Sequence, residues 1–263
     1  MSSARLDQAL VERGLCESRT KAKRRIEAGD VRVNRQVVLK VAHVVGAHDQ
    51  IELSGGGDFV GRGALKLLAA LDSFGIQPGR YVCVDLGAST GGFTEVLLLR
   101  GAQRVFAIDV GHGQLHESLV ADPRVVCLEG VNARELTASW WAERGAPRVD
   151  FVVADLSFIS LTQVIPAAQA VLRSPQWVCL VKPQFEVGRT RIREGIAGDP
   201  ADHERVLTAV VEVAGSAGLY PAGVMASPVT GEAGNREYLC WFTSRESLNP
   251  TQWGLAIHDA THP

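Results

Sequence analysis

The sequence predicts an α/β chain in which a doubly wound parallel sheet follows a small α+β module. Three observations carry this. The apolar run Val82-Cys83-Val84-Asp85-Leu86 passes through a glycine turn, Gly87-Ala88-Ser89-Thr90-Gly91-Gly92, into a helical stretch, as where a parallel sheet presents backbone N–H groups to a ligand. From about residue 60, strand-like runs alternate with helix-like ones, the pattern of a sheet covered on both faces. Ser54-Gly55-Gly56-Gly57 separates this region from a more basic start and reads as a linker. The 263 residues suit a domain at 1–55, a linker at 56–62 and a domain at 63–263,.

Residues 4–14 read as an amphipathic helix, with Leu6, Ala9 and Leu10 on one side and Gly14 as its stop,. Ser18 caps a second helix, Arg19 to Ala28, ended by Gly29,. Short strands follow at 31–34, 36–38 and 50–53,. Beyond the linker a helix at 63–74 precedes strands at 81–85, 104–108, 125–128, 150–154 and 177–181. Helices fit at 91–99, 113–120, 161–173 and 202–217, and strands at 221–225 and 237–242 make a terminal hairpin. Residues 243–263 read as a polar appendage.

Composition excludes several classes. The longest apolar runs fall far short of a membrane span, and the N-terminus lacks a signal-peptide core,. Cys16, Cys83, Cys127, Cys179 and Cys240 show no zinc-ligand spacing; reduced, buried thiols in a cytoplasmic protein are expected. His112 and His116 are four apart, but Gly113 lies between them and no third ligand is nearby, so no metal is expected. His203 is expected to be structural, and Trp140 and Trp141 to pack. Over 19–40, eight Lys and Arg face only Glu27 and Asp30, a net charge of +6 in a chain whose overall charge is −2. That concentration favours a polyanionic partner over a merely solvated face.

Three ligands compete for the glycine turn. A dinucleotide motif wants glycine where Ser89 stands, because a pyrophosphate needs close backbone approach. Gly87-Ala88-Ser89-Thr90-Gly91 also matches a hydrolase nucleophile elbow, but no oxyanion loop with histidine precedes it and Asp85 and Asp109 would have no task. S-adenosylmethionine has no pyrophosphate and tolerates Ser89. Asp109 ends the second strand 22 residues after Gly87, where a carboxylate meets ribose hydroxyls. The expected cofactor set is Asp85, Gly87, Ser89, Thr90, Gly91, Gly92, Phe93, Asp109, Val110 and Asn132.

Charged residues also mark the predicted strand ends. Asp155 and Lys182 end the fourth and fifth strands, Glu237 opens the last, and Lys66 lies on the leading helix. Such residues are common at strand ends, so alone they leave site and surface readings open.

The first 55 residues or so resemble the S4 RNA-binding domain, through Arg5-Leu6-Asp7, Ser18-Arg19, Ala22, Ile26 and Gly29-Asp30-Val31-Arg32-Val33-Asn34. Residues 61–263 resemble FtsJ-type ribose 2′-O-methyltransferases. The carrying stretches are Arg62 to Leu67, Asp85 to Phe93, Asp109 to Leu115, Asp155 to Ser160, Val181 to Glu186 and Gly234 to Leu239. Together the chain resembles the TlyA, or hemolysin A, family. That resemblance implies a Rossmann-like methyltransferase sheet, S-adenosylmethionine, and methylation of cytidine riboses in ribosomal RNA or its subunits. It implies a tetrad of Lys66, Asp155, Lys182 and Glu237, and RNA contacts from Arg5, Arg19, Lys21, Lys23, Arg24, Arg25 and Arg32. Lys182 is the expected base and Asp155 its orienting partner, with Lys66 and Glu237 positioning the ribose; a charge on Lys66 would ease deprotonation of Lys182. An exocyclic-amine enzyme would want an Asn/Asp-Pro-Pro-aromatic run where Asp155-Leu156-Ser157-Phe158 stands. A cytosine-C5 enzyme would need a site cysteine. An RNA-anchoring assembly factor without transfer activity and a membrane-active hemolysin are the alternatives; no stable membrane association is expected.

Overall fold

A computed structural model describes residues 4–27, 30–34, 36–38, 40–53, 59–145, 147–188, 195–231, 234–245 and 248–262. The chain divides into two compact units after Arg62.

The first unit runs β1 (Ala4–Arg5), α1 (Leu6–Glu12), α2 (Arg19–Glu27), β2 (Val31–Val33), β3 (Gln36–Val37), β4 (Val44–Val45) and β5 (Ile51–Leu53). Leu6, Ala9 and Leu10 share a face of α1 and bury against Ala22 and Ile26, four apart on α2, and Val31, Val33 and Val45,. β2 pairs antiparallel with β3 and β5. The Ser18 hydroxyl accepts the Lys21 N–H at 3.2 Å and starts α2,. The expected helix over 4–14 is shorter, because Arg5 is extended and Ala4–Arg5 pairs with Val44–Val45. Two-residue strands carry no readable alternation. Ala28, Gly29 and the linker Ser54-Gly55-Gly56-Gly57 lie outside the described residues.

The second unit continues with α3 (Gly63–Phe74), β6 (Val82–Leu86), α4 (Gly92–Leu99), β7 (Arg104–Ile108), α5 (Glu117–Val120), β8 (Val125–Leu128), a 3₁₀ turn (Ala133–Glu135) and α6 (Ala138–Glu143). Then come β9 (Phe151–Ala154), α7 (Leu161–Leu172), β10 (Gln176–Val181), α8 (Pro183–Glu186), α9 (Pro200–Ser216), β11 (Tyr220–Ala226), β12 (Tyr238–Thr243) and α10 (Pro250–Thr261). The seven strands lie in the order β11-β12-β10-β9-β6-β7-β8. β6 is parallel to both β7 and β9, so the connections diverge there and leave a crevice at the strands' carboxyl ends. β12 inserts antiparallel between β10 and β11, the expected closing hairpin. β9 and most of β6 and β10 are fully buried, as strands covered on both faces must be.

Two expected elements differ. The helix at 113–120 shrinks to Glu117–Val120, because the Glu129 carboxylate accepts the N–H groups of Gly113 (2.7 Å) and Gln114 (2.9 Å) and holds that stretch as a loop. His116 caps α5, its Nδ1 accepting the Ser118 N–H. The expected polar appendage contains α10, started by a reciprocal Asn249–Gln252 capping box with Pro250 in its first turn and fastened by buried Trp253 and Ile257,. Cys83, Cys179 and Cys240 are buried, but Cys127 is exposed and Cys16 half-buried, which corrects the expectation for those two. No helix among the described residues is long and apolar enough to cross a membrane.

Candidate active site

The β6–α4 turn sits where the strand order reverses. Asp155 donates its N–H to Leu86 O at 3.0 Å, tying the ends of β6 and β9 together. Gly87 has φ +82°, and a Cβ there would lie 2.5 Å from the Asp155 carbonyl. Glycine is therefore required twice over, by conformation and by space. Beside this turn opens a cavity of about 500 Å³ lined by Gly87, Ser89, Asp109, Val110, Asn132 and Asp155, among others. Asp109 accepts the Ser89 N–H through Oδ2 (2.8 Å) and the Gly111 N–H through Oδ1 (2.7 Å). Each oxygen keeps acceptor capacity.

The other residues expected to hold the cofactor do not line this cavity. Thr90 is exposed, while Gly91, Gly92 and Phe93 are buried at the start of α4. Asp85 is wholly buried, with Oδ2 accepting the Thr94 hydroxyl at 2.7 Å and Oδ1 without a hydrogen-bond partner. Burial pushes its carboxyl up to about 7, against the Thr94 bond and helped by the charge of Asp155,. Its place is beneath the turn.

The tetrad forms two ion pairs. Lys66 Nζ meets Glu237 Oε2 at 2.5 Å, both side chains nearly excluded from solvent. Lys182 Nζ meets Asp155 Oδ1 at 2.7 Å and donates to Ser157 Oγ at 2.9 Å. The Lys182–Asp155 contact is close in distance yet off the angle of a hydrogen bond. α3 links the pairs: a Cβ on Gly63 would stand 3.3 Å from Asp155 Oδ2, and Lys66 lies one turn further along. Gln184, two residues past Lys182, reaches Glu237 Oε1 with its amide at 3.4 Å. A Cβ on Gly231 would clash with Glu237 Oε1, so only glycine leaves that carboxylate its place. Since Lys66 is already neutralised by Glu237, it does not act on Lys182 as the free charge expected from the sequence.

Three supporting residues escaped sequence reasoning. Ser157 accepts from Lys182. Gln114 lines the cavity, its side chain 3.4 Å from Ser89 Oγ. Glu186 accepts the Ser160 hydroxyl and the Leu161 N–H, joining the Lys182 segment to the Asp155 loop. Burial raises the Glu186 carboxyl's pKa, and those two bonds oppose it. Only the fold brings these partners together.

In the first unit, buried Asp7 accepts from Arg5 (3.0 Å) and from Arg19 (2.6 Å). Burial opposes ionisation of Asp7, but the bonds from Arg19 and Arg5 prevail and hold its pKa below the usual value. Both guanidinium groups remain about half exposed. Lys21 pairs with Glu17 at 2.8 Å. Lys23 and Arg32 are exposed, Arg25 is half-buried, and the Arg24 side chain lies outside the described residues.

His112 and His116 gather no third ligand among the described residues. His203 is buried between the Tyr238 hydroxyl (2.7 Å) and the Ala197 carbonyl (2.8 Å), a structural role. Trp141 packs against Phe106, and Trp140 carries the Arg144 guanidinium 3.9 Å above its ring.

The FtsJ-like methyltransferase model matches residues 59–244, and the S4 domain model matches residues 4–51. A relative in Mycobacterium tuberculosis (strain CDC 1551 / Oshkosh), the 16S/23S rRNA (cytidine-2′-O)-methyltransferase TlyA, is 46% identical, covering 98% of this chain and 96% of that protein. Hemolysin A of Brachyspira hyodysenteriae is 39% identical, over 90% of this chain and 99% of its own. A solved structure of a candidate hemolysin from Streptococcus thermophilus aligns with a TM-score of 0.74 at 36% identity, covering 99% of this chain and 95% of that one. With a methyltransferase sheet, an S4 unit and full-length relatives of both names, the chain belongs to the FtsJ-like methyltransferases and, within them, to the TlyA or hemolysin A family.

Proposed function

We propose that this protein transfers the methyl group of S-adenosylmethionine to the ribose 2′-hydroxyl of a cytidine in ribosomal RNA. The observation that carries the reading is the pairing of Lys182 with Asp155 at the cavity edge, beside the pairing of Lys66 with Glu237. An RNA anchor without transfer activity would need neither.

The residues fit the cofactor. Gly87 borders the cavity without a side chain, and the Asp109 carboxylate at the cavity wall can accept ribose hydroxyls. Gly87, Ser89, Asp109, Val110 and Asn132 would hold the nucleoside. The bound cofactor supplies an electrophilic methyl group on a sulfonium.

Lys182 accepts the 2′-hydroxyl proton as the oxygen attacks, and it must enter that step as the neutral amine. Asp155 and Ser157 orient Nζ beforehand and stabilise the ammonium afterwards. Lys66 and Glu237, linked by a short buried contact, offer a donor and an acceptor for the ribose. No oxyanion hole is needed, because the sulfonium's charge disappears as the methyl leaves.

RNA docks on the S4 unit, where Asp7 sets the directions of Arg5 and Arg19 and exposed Lys23 and Arg32 add charge. The partner is ribosomal RNA or an assembling subunit, and the place of action the cytoplasm. Incubating ribosomal subunits with the protein and labelled S-adenosylmethionine tests the reading: label is expected on RNA, and protein binding without label would favour the anchoring factor.

A further inference from the structure

Outside the catalytic region, α9 and α10 bring together Glu204, His258 and His262. His258 lies in the last turn of α10 and His262 at its C-terminal cap, four residues on. His258 Nδ1 stands 2.9 Å, and His262 Nδ1 3.5 Å, from the same oxygen, Glu204 Oε1. The imidazole rings stack with centroids 4.4 Å apart, and one ligand atom from each residue lies within 4.8 Å of the others. Tetrahedral bonds of about 2.0–2.1 Å place ligand atoms about 3.3 Å apart. The two contacts to Glu204 bracket that spacing. Thr261, fully buried and between the histidines in sequence, has its hydroxyl 3.0 Å from the Ile257 carbonyl and 3.1 Å from His262 Nδ1, with Glu204 Oε1 further off at 3.4 Å.

We propose that Glu204, His258 and His262 bind a divalent transition cation of the zinc class, which fastens α10 to α9. Two imidazoles and one carboxylate suit zinc and leave a fourth position for water. Magnesium and calcium, which demand oxygen ligands, are excluded by the same donor set. The metal takes the Nδ1 lone pair of each neutral imidazole, whose proton then sits on Nε2, and a ring that enters as imidazolium releases one proton. The site is independent of methyl transfer.

The test uses the tag-free full chain, stripped with chelator and titrated with zinc chloride, followed by calorimetry and thermal unfolding. One zinc per chain and a raised unfolding temperature are expected, with no shift from magnesium. His258→Ala and His262→Ala are each expected to abolish the thermal shift, measured against that variant's own zinc-free baseline. Failure of the wild-type chain to take up zinc would overturn the proposal. So would undiminished uptake by the double histidine variant, which would place the metal elsewhere, for example on exposed Cys127.

Discussion

At the residue scale, Asp85 and Lys66 give the sharpest expectations. The folded Asp85 carboxyl titrates near 7, above its usual 3.8, because it is buried. The native chain therefore keeps a proton that the unfolded chain has lost, and stability falls as pH rises from about 4 to about 7. A tenfold difference in proton affinity between the folded and unfolded chain is worth about 1.4 kcal/mol. Asp85→Asn is expected to flatten this slope in urea unfolding at pH 5 and pH 8; an unchanged slope would assign the titration to another group. Lys66→Met leaves Glu237 buried without its partner and is expected to cost about 3–5 kcal/mol. Adding Glu237→Gln should restore much of that stability without restoring methyl transfer, which separates folding from chemistry. Asp109→Ala is expected to weaken S-adenosylmethionine binding by about 1–3 kcal/mol; unchanged affinity by calorimetry would remove Asp109 from the cofactor site. Asp109, Asp155 and Lys182 were legible because each follows an apolar strand run, and strand ends of a parallel sheet face the ligand edge. Ser157 and Gln114 were not, since nothing local distinguishes a serine that accepts from Lys182 from any loop serine.

At the element scale, the α8 segment and the loop after β9 act together through Glu186. Glu186→Gln is expected to lower kcat more than it raises the cofactor's Kd, because it loosens Lys182 against Asp155 while leaving the β6–α4 turn intact. Steady-state kinetics with calorimetry distinguish this from a general loss of structure, which would weaken both. The alternation of strand and helix made the second unit's sheet readable, and β7 and β8 fall where the sequence places them. The expected α5 helix was too long because its apolar pattern could not reveal the distant carboxylate of Glu129, which captures the loop's N–H groups. α10 was missed for the opposite reason. Its buried face is only the Trp253–Ile257 pair and Thr261, too sparse to stand out from a polar tail.

At the scale of the whole molecule, RNA affinity and chemistry are expected to separate along the chain. Removing residues 1–62 should leave a unit that still binds cofactor and loses most RNA affinity. Charge reversal at Lys23 and Arg32 should reduce the salt dependence of RNA binding. These positions test it more cleanly than Arg19, whose reversal would also disturb buried Asp7. Equal affinity and salt slope in the truncated chain would place RNA binding on the second unit.

The central claim is that Lys182, held by Asp155 and Ser157, takes the proton from a ribose hydroxyl. The most direct measurement is mass mapping of methyl groups in ribosomal RNA treated with the wild-type protein or with Lys182→Ala. The expected result is 2′-O-methylcytidine with the wild type and none with the variant, whose cofactor and RNA binding remain close to normal. A methyl group on a base, or substantial ribose methylation by Lys182→Ala, would contradict it.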